Sequence, residues 1–472
     1  MRRAAPMALL LALLPLPLPL VVAARGGAIP GERPPNLVFV YADDQARWGV
    51  GAYGNAEVVT PHLDRLARDG ALFRNAFTCT PVCSPSRAGM MTGRLGTQVG
   101  ITDWINPKVE PELGLDPSAV LWPELLKAGG YATGLFGKWH LGDRDRFHPT
   151  RQGYDVFMGF RGGGNTPIDP VLEADGVVAK REGATADLIT DAAIAFIEAH
   201  RDGPFLASLH FREPHAPYAP TREVDAAPVA GLDPTIPSYP GLPGPRVGRL
   251  TREYYASIHS IDRNVGRVRE ALDRLGVADR TIVIFSSDHG YMIGHHGLLH
   301  KGNATWLAAG HAGHRPNMFE ESIRVPLLVV WPGVVRPGTT IDRVVSNLDT
   351  FPSMLDLAGI GTPANLRVHG RSWAPLLRGG APAPAWDDTL FGQYDMHHYQ
   401  EARMRMIRTP EWKWVRHYEP GGADELYSLA ADPGESRNLA GDPARAGVRD
   451  ELDARLRAWM AAIDDPLAER GR

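Results

Sequence analysis

Ala42-Asp43-Asp44-Gln45 sets two carboxylates side by side directly after an apolar run. Adjacent carboxylates at a strand end repel unless a cation is present, and hard oxygen ligands suit Ca2+ or Mg2+. An isolated Asp-Asp pair is more often a turn or a helix cap. Ser287-Asp288-His289-Gly290 follows a second apolar run, so Asp43, Asp44, Asp288 and His289 together offer three carboxylates and an imidazole. In Gly137-Lys138-Trp139-His140, extended backbone would turn Lys138 and His140 to one face. That puts a cation beside a potential general base, which suits an anionic substrate. A lone copy would read as a surface lysine and a capping histidine. In Pro214-His215-Ala216-Pro217 the prolines fix the backbone around His215. Lys301 follows His295, His296 and His300, whose repetition suggests zinc, but no cysteine or second carboxylate cluster lies nearby.

Only two cysteines are present, Cys79 and Cys83. A bridge between them would close a very small loop around Pro81. Cys79 reads instead as a buried small residue.

These clusters need elements to hold them. Asn36–Tyr41, Tyr131–Phe136, Pro204–Leu209, Thr281–Phe285 and Val325–Trp331 are short apolar runs that suit buried strands. Between them, helices are expected after Thr60-Pro61, around Trp122, over Ala192–His200 and over Tyr254–Leu275. The alternation predicts an α/β fold with a largely parallel sheet between helices. In such sheets, ligands bind beyond the strand ends, where the chemistry-bearing clusters fall. The Gly379–Pro384 stretch reads as a linker. Beyond it, Phe391–Tyr394, Met404–Ile407, Trp412–Tyr418 and Glu425-Leu426-Tyr427 predict a small antiparallel sheet, with a terminal helix over Val448–Ile463.

Bulk properties narrow the function. Over 472 residues, 22% are charged and 44% hydrophobic, an ordinary globular balance. The formal charge is −4 and no long basic run follows the first residues, so nothing points to nucleic acid or a membrane surface. Met1-Arg2-Arg3, an apolar stretch over Met7–Val22 and Val22-x-Ala24 predict a signal peptide over residues 1–24. Pro15, Pro17 and Pro19 argue against a membrane anchor. The expected location is therefore periplasmic or secreted.

Cys83-Ser84-Pro85-Ser86-Arg87 resembles the signature of the type I sulfatases. The other clusters stand in that family's order, and the likeness extends through Glu320–Pro326 and Asp349–Pro352. The resemblance implies an alkaline-phosphatase-like fold, with a catalytic domain over 34–380 and an α+β subdomain over 385–472. It implies sulfate-ester hydrolysis, with Cys83 oxidised to formylglycine by a formylglycine-generating enzyme. The formylglycine hydrate would attack sulfur, Arg87 would brace it, and Lys138 would neutralise charge. Lys301 and His215 would hold sulfate and assist departure of the alcohol. His140 would take a proton in the release step. Asp43, Asp44, Cys83, Asp288 and His289 would surround one Ca2+, with Mg2+ possible. A phosphate or phosphonate monoester hydrolase of the same superfamily is the nearest rival, and a catalytically dead carbohydrate-binding relative is another.

Many relatives run from the lysine almost directly into the Glu-Glu-Ser-Ile-Arg-Val-Pro block, whereas here Gly302–Asn317 intervenes. This insertion is expected to shape a pocket for a sulfated carbohydrate. Trp306, His311 and His314 are its candidate contacts, joined by His397 and His398 from the C-terminal sheet.

Overall fold

The computed structural model describes residues 33–379 and 386–469. The expected signal peptide over 1–24 and residues 380–385, which include most of the expected linker, lie outside them. An eleven-stranded sheet forms the centre. Across its middle run Leu327–Val330, Thr281–Ser287, Asn36–Asp43, Phe205–Pro214, Ala132–Lys138 and Val156–Phe160. From Thr281–Ser287 to Val156–Phe160 every pairing is parallel. Leu327–Val330 is antiparallel to both neighbours, and Val171–Ala174 with Val177–Lys180 closes the far side as a hairpin. The α/β class is as expected.

The Asn36–Asp43 strand is buried along its whole length because both faces are covered. Leu37, Phe39 and Tyr41 enter one apolar core, while Val38, Val40 and Ala42 enter the other. Burying each large side chain contributes about 1.5–3 kcal/mol, so a continuous apolar run is stable only in the middle of the sheet. Helices Pro61–Asp69, Thr185–Ala199 and Gly244–Arg274 pack one face. Two of them begin before the sequence pattern does. The long helix starts at Gly244 rather than Tyr254, because its glycine- and arginine-rich opening shows little apolar period. The other starts at Thr185 rather than Ala192. The Val325–Trp331 run divides at Pro326, which has no N–H to donate, into Arg324–Val325 and Leu327–Val330.

Leu390–Met396, Ala402–Arg408, Trp412–His417 and Glu425–Ser428 form the expected antiparallel sheet, backed by helix Ala446–Ala462. Its other side shares a core with the central sheet through Phe77, Cys79, Met318, Tyr394 and Met404. The insertion is not a loop. Asn303–Trp306 pairs with His314–Pro316, and Leu298–His300 and Met292–Ile293 complete a third sheet. Among the described residues no helix is long and apolar enough to cross a membrane.

Candidate active site

Parallel pairing delivers the site. Ala42 is level with Ser287, so Asp43 and Asp288 emerge together at one edge of the sheet. Asp43 is also level with Pro214, and Lys138 ends the next strand over. The strand end is locked by side chains: Asp44 N and His289 N both donate to Asp288 Oδ1, at 3.1 and 3.0 Å. Tyr254 Oη donates to the Asp44 carbonyl at 2.7 Å.

Cys83 opens helix Cys83–Thr92, every residue of which is buried. Its Sγ lies 3.1 Å from Lys301 Nζ, 3.4 Å from His289 Nε2 and 3.6 Å from Asp43 Oδ1. Cys79 and Cys83 are both free, which sets aside a bridge between them, and burial lifts the Cys79 thiol to about 12. Arg87 donates from Nε to Asp288 Oδ2 at 3.0 Å and from Nη1 to the Lys138 carbonyl, with its guanidinium over the Tyr41 ring.

One ligand atom each from Asp43, Asp44, Cys83 and His289 lies within 4.8 Å of the other three. Asp288 stands beside this group, with Oδ1 3.4 Å from His289 Nε2. Oxygen donors joined by one imidazole fit a divalent cation. Lys138 Nζ sits 2.6 Å from Asp43 Oδ2, and Lys301 Nζ 2.5 Å from Asp44 Oδ1. Burial opposes ionisation of Asp43, but Lys138, His215 and Arg87 outweigh it and hold the carboxyl well below its usual range. Burial also opposes protonation of His289, and there Asp288 prevails and raises the imidazole.

His140 differs. Burial, then Lys138, pushes it well below 6.5 and keeps it neutral. Its Nε2 lies 3.1 Å from the Ile105 carbonyl, so the proton belongs there, and the buried Nδ1 has no partner among the described residues. A Cβ on Gly163 would stand 2.5 Å from His140 Nε2, so glycine is needed for the close approach. The expected shared face of Lys138 and His140 does not occur. The strand stops at Lys138 and His140 has φ +59°, so alternation ends there. Lys138 lies wholly buried against Asp43, whereas His140 reaches the cavity wall.

That cavity, of about 500 Å3, opens above Cys83. His140, His215, Lys301 and Asp44 line its floor, and His314 from the insertion lines its side. The other proposed substrate contacts do not line it. Trp306 and His311 stack on each other at 4.1 Å, away from it. His397 and His398 face the Glu110 carboxylate at 3.2 and 3.1 Å, and the His398 ring packs at a tilt against Trp104. The three histidines before Lys301 also part company: His295 packs on Trp48, His296 pairs with Glu321, and His300 meets Tyr291. They share no site. Sequence reasoning missed Trp104, Tyr399, Asn303, Thr305 and His300, all on the cavity wall. Adjacency to His398 was the one signal for Tyr399. Trp104 carried none.

The family described as Sulfatase matches residues 35–360, and one described as N-sulphoglucosamine sulphohydrolase, C-terminal, matches residues 313–462. The chain is 30% identical over 454 residues to the ulvan-active sulfatase of Formosa agariphila, covering 92% of this chain and 83% of that one. It is 30% identical over 591 residues to the steryl-sulfatase of Mus musculus, covering 97% and 89%. A solved structure of a protein in complex with its substrate D-glucosamine-2-N,6-O-disulfate superposes with a TM-score of 0.81 at 24% identity, covering 93% and 100%. The phosphonate monoester hydrolase of Agrobacterium radiobacter superposes with a TM-score of 0.69 at 24% identity, covering 91% and 96%.

Proposed function

The chain belongs to the sulfatase family, and from that membership we propose that it is an exported hydrolase of sulfate esters on carbohydrates, acting through an oxidised Cys83 and a divalent metal. The convergence of Asp43, Asp44, Cys83 and His289 ligand atoms within 4.8 Å carries the reading. Carbohydrate is the substrate class because the ulvan-active relative and the sulfated-glucosamine complex both point to sugars. Residues 34–380 would be the catalytic domain, with 385–472 as a C-terminal α+β subdomain.

Asp43, Asp44, Asp288 and His289 would hold the cation, calcium by their hard oxygens and magnesium as the alternative, which would set positive charge against the sulfate. A formylglycine-generating enzyme would convert Cys83 to an aldehyde, whose hydrate is the family's nucleophile. Arg87, tied to Asp288 and the Lys138 carbonyl, fixes the helix start that carries Cys83. Lys138 neutralises Asp43 from beneath. Lys301 reaches both Asp44 and Cys83, so its ammonium stands where a sulfate oxygen must come. His215 donates from Nδ1 to the Ala216 carbonyl, and among the described residues its Nε2 has no hydrogen-bond partner. Burial lowers it to about 4, and an incoming anion would favour its protonated form, ready to give a proton to the departing alcohol. His140 offers a bare Nδ1 to accept the proton released later.

The test uses protein coexpressed with the maturing enzyme. Hydrolysis of an aryl sulfate well above that of the matching aryl phosphate is expected, with loss of turnover in Cys83→Ala. Faster phosphate hydrolysis would favour the phosphonate-hydrolase neighbour's chemistry instead.

A further inference from the structure

We infer that His300 is a specificity-determining residue, an uncharged hydrogen-bond donor held with Nε2–H toward the cavity to meet a hydroxyl or ring oxygen of the sulfated sugar. The inference rests on the carbohydrate reading above and goes beyond it to one side chain. Tyr218 Oη donates to Tyr291 Oη at 2.7 Å, which commits the Tyr291 proton to His300 Nδ1 at 2.9 Å. With Nδ1 accepting, a neutral imidazole must carry its hydrogen on Nε2. Among the described residues Nε2 has no hydrogen-bond partner, and His300 lines the cavity. Burial holds the ring at about 4, with Lys301 reinforcing the effect, so the donor stays uncharged at neutral pH.

The backbone shows what this orientation costs. His300 is the last residue of its strand and Lys301 follows it, and both line the cavity. His300 has φ +86°, a conformation that residues other than glycine rarely adopt. Two roles are thereby separated in adjacent residues. The Lys301 cation turns to Cys83 and Asp44, where the anion is handled, and the neutral His300 donor remains for uncharged oxygens. Trp104 and Tyr399 line the same cavity, with Tyr399 stacked on His314 at 4.2 Å. Flat aromatic surface together with a directed polar donor suits a pyranose ring, which has both apolar C–H faces and hydroxyls.

The experiment compares kcat/KM for 4-nitrophenyl sulfate with that for a panel of singly sulfated hexoses and hexosamines. His300→Ala is expected to lower the sugar-to-aryl ratio roughly fivefold to tenfold, chiefly through the sugar's KM. His300→Gln, whose amide can still donate, should recover part of that loss. Tyr291→Phe, which frees the ring to adopt the other tautomer, should fall between. Aryl sulfate turnover by each variant confirms that it is folded. Equal losses on both substrates, no change in the ratio, or no rescue by glutamine would overturn the assignment. So would a wild type that cleaves the aryl sulfate but none of the sugars. Inactivity of the wild type on both would sink the sulfatase reading itself, and this inference with it.

Discussion

His140 and Lys138 show how two residues of one motif are divided by a single backbone angle. Lys138 is sealed beneath Asp43, and His140 turns out at φ +59° with one nitrogen committed to Ile105 and the other bare. Because burial and Lys138 depress the imidazole, it remains a competent base until the pH falls well below 6.5. The acid limb of kcat due to His140 should therefore lie below that value, with activity lost as pH falls further. His140→Gln should remove about two to four orders of magnitude from the rate. A limb at or above 6.5 that vanishes in the variant would contradict this assignment. The motif residues were legible because each follows an apolar run, and such runs end at one edge of a parallel sheet. Trp104 and Tyr399 were not, since single aromatics carry no period and meet only after folding.

Among the elements, the hairpin after Lys301 is the most separable. Asn317 N donates to the Gly302 carbonyl at 2.9 Å, so its two ends already touch. Deleting Asn303–Pro316 should close without straining Lys301, and it removes Asn303, Thr305 and His314 from the cavity wall. The expected result is a larger fall in kcat/KM on sulfated sugars than on a small aryl sulfate; equal falls would show that the hairpin supports the site rather than selects substrate. Its extra length was visible in the sequence. Its pairing was not, because strands as short as Met292–Ile293 and His314–Pro316 cannot display a repeat. In the C-terminal sheet, His417 bridges Glu419 at 2.8 Å and Glu425 at 3.0 Å. Burial disfavours its charge, but the two carboxylates raise it from 6.5 to about 9. Its contribution, on the order of 3 kcal/mol, is complete below pH 6.5 and is lost as pH rises through 9. Urea denaturation of His417→Gln should show a deficit near pH 6 that shrinks to nothing by about pH 10.

At the scale of the whole molecule, the C-terminal sheet is held by buried charge as well as apolar contact. Lys413 Nζ lies 2.9 Å from Glu320 and 2.7 Å from Glu435, while Arg408 donates to both Glu320 oxygens. Lys413 is fully buried, so Lys413→Met would leave Glu435 without its cation and should cost about 3–5 kcal/mol by chemical denaturation. A loss below about 1 kcal/mol would mean the cluster is not structural. Composition and strand–helix alternation were enough to foresee the central α/β sheet and the small C-terminal antiparallel sheet. The cluster between them was hidden, because Glu320 and Arg408 look like ordinary surface charges until tertiary packing removes water from both.

The buried helix at Cys83 also sets a timetable. Cys83 is 3% exposed and its helix lies wholly inside the protein. A second enzyme cannot grip a segment that meets solvent only at the floor of a cavity. The proposed oxidation would therefore have to be finished while the chain is still open, before the central sheet closes over it. On the proposed chemistry, molecules that fold first would be trapped as the thiol, correctly shaped but inert. The active fraction of any preparation is then decided by a race between maturation and folding.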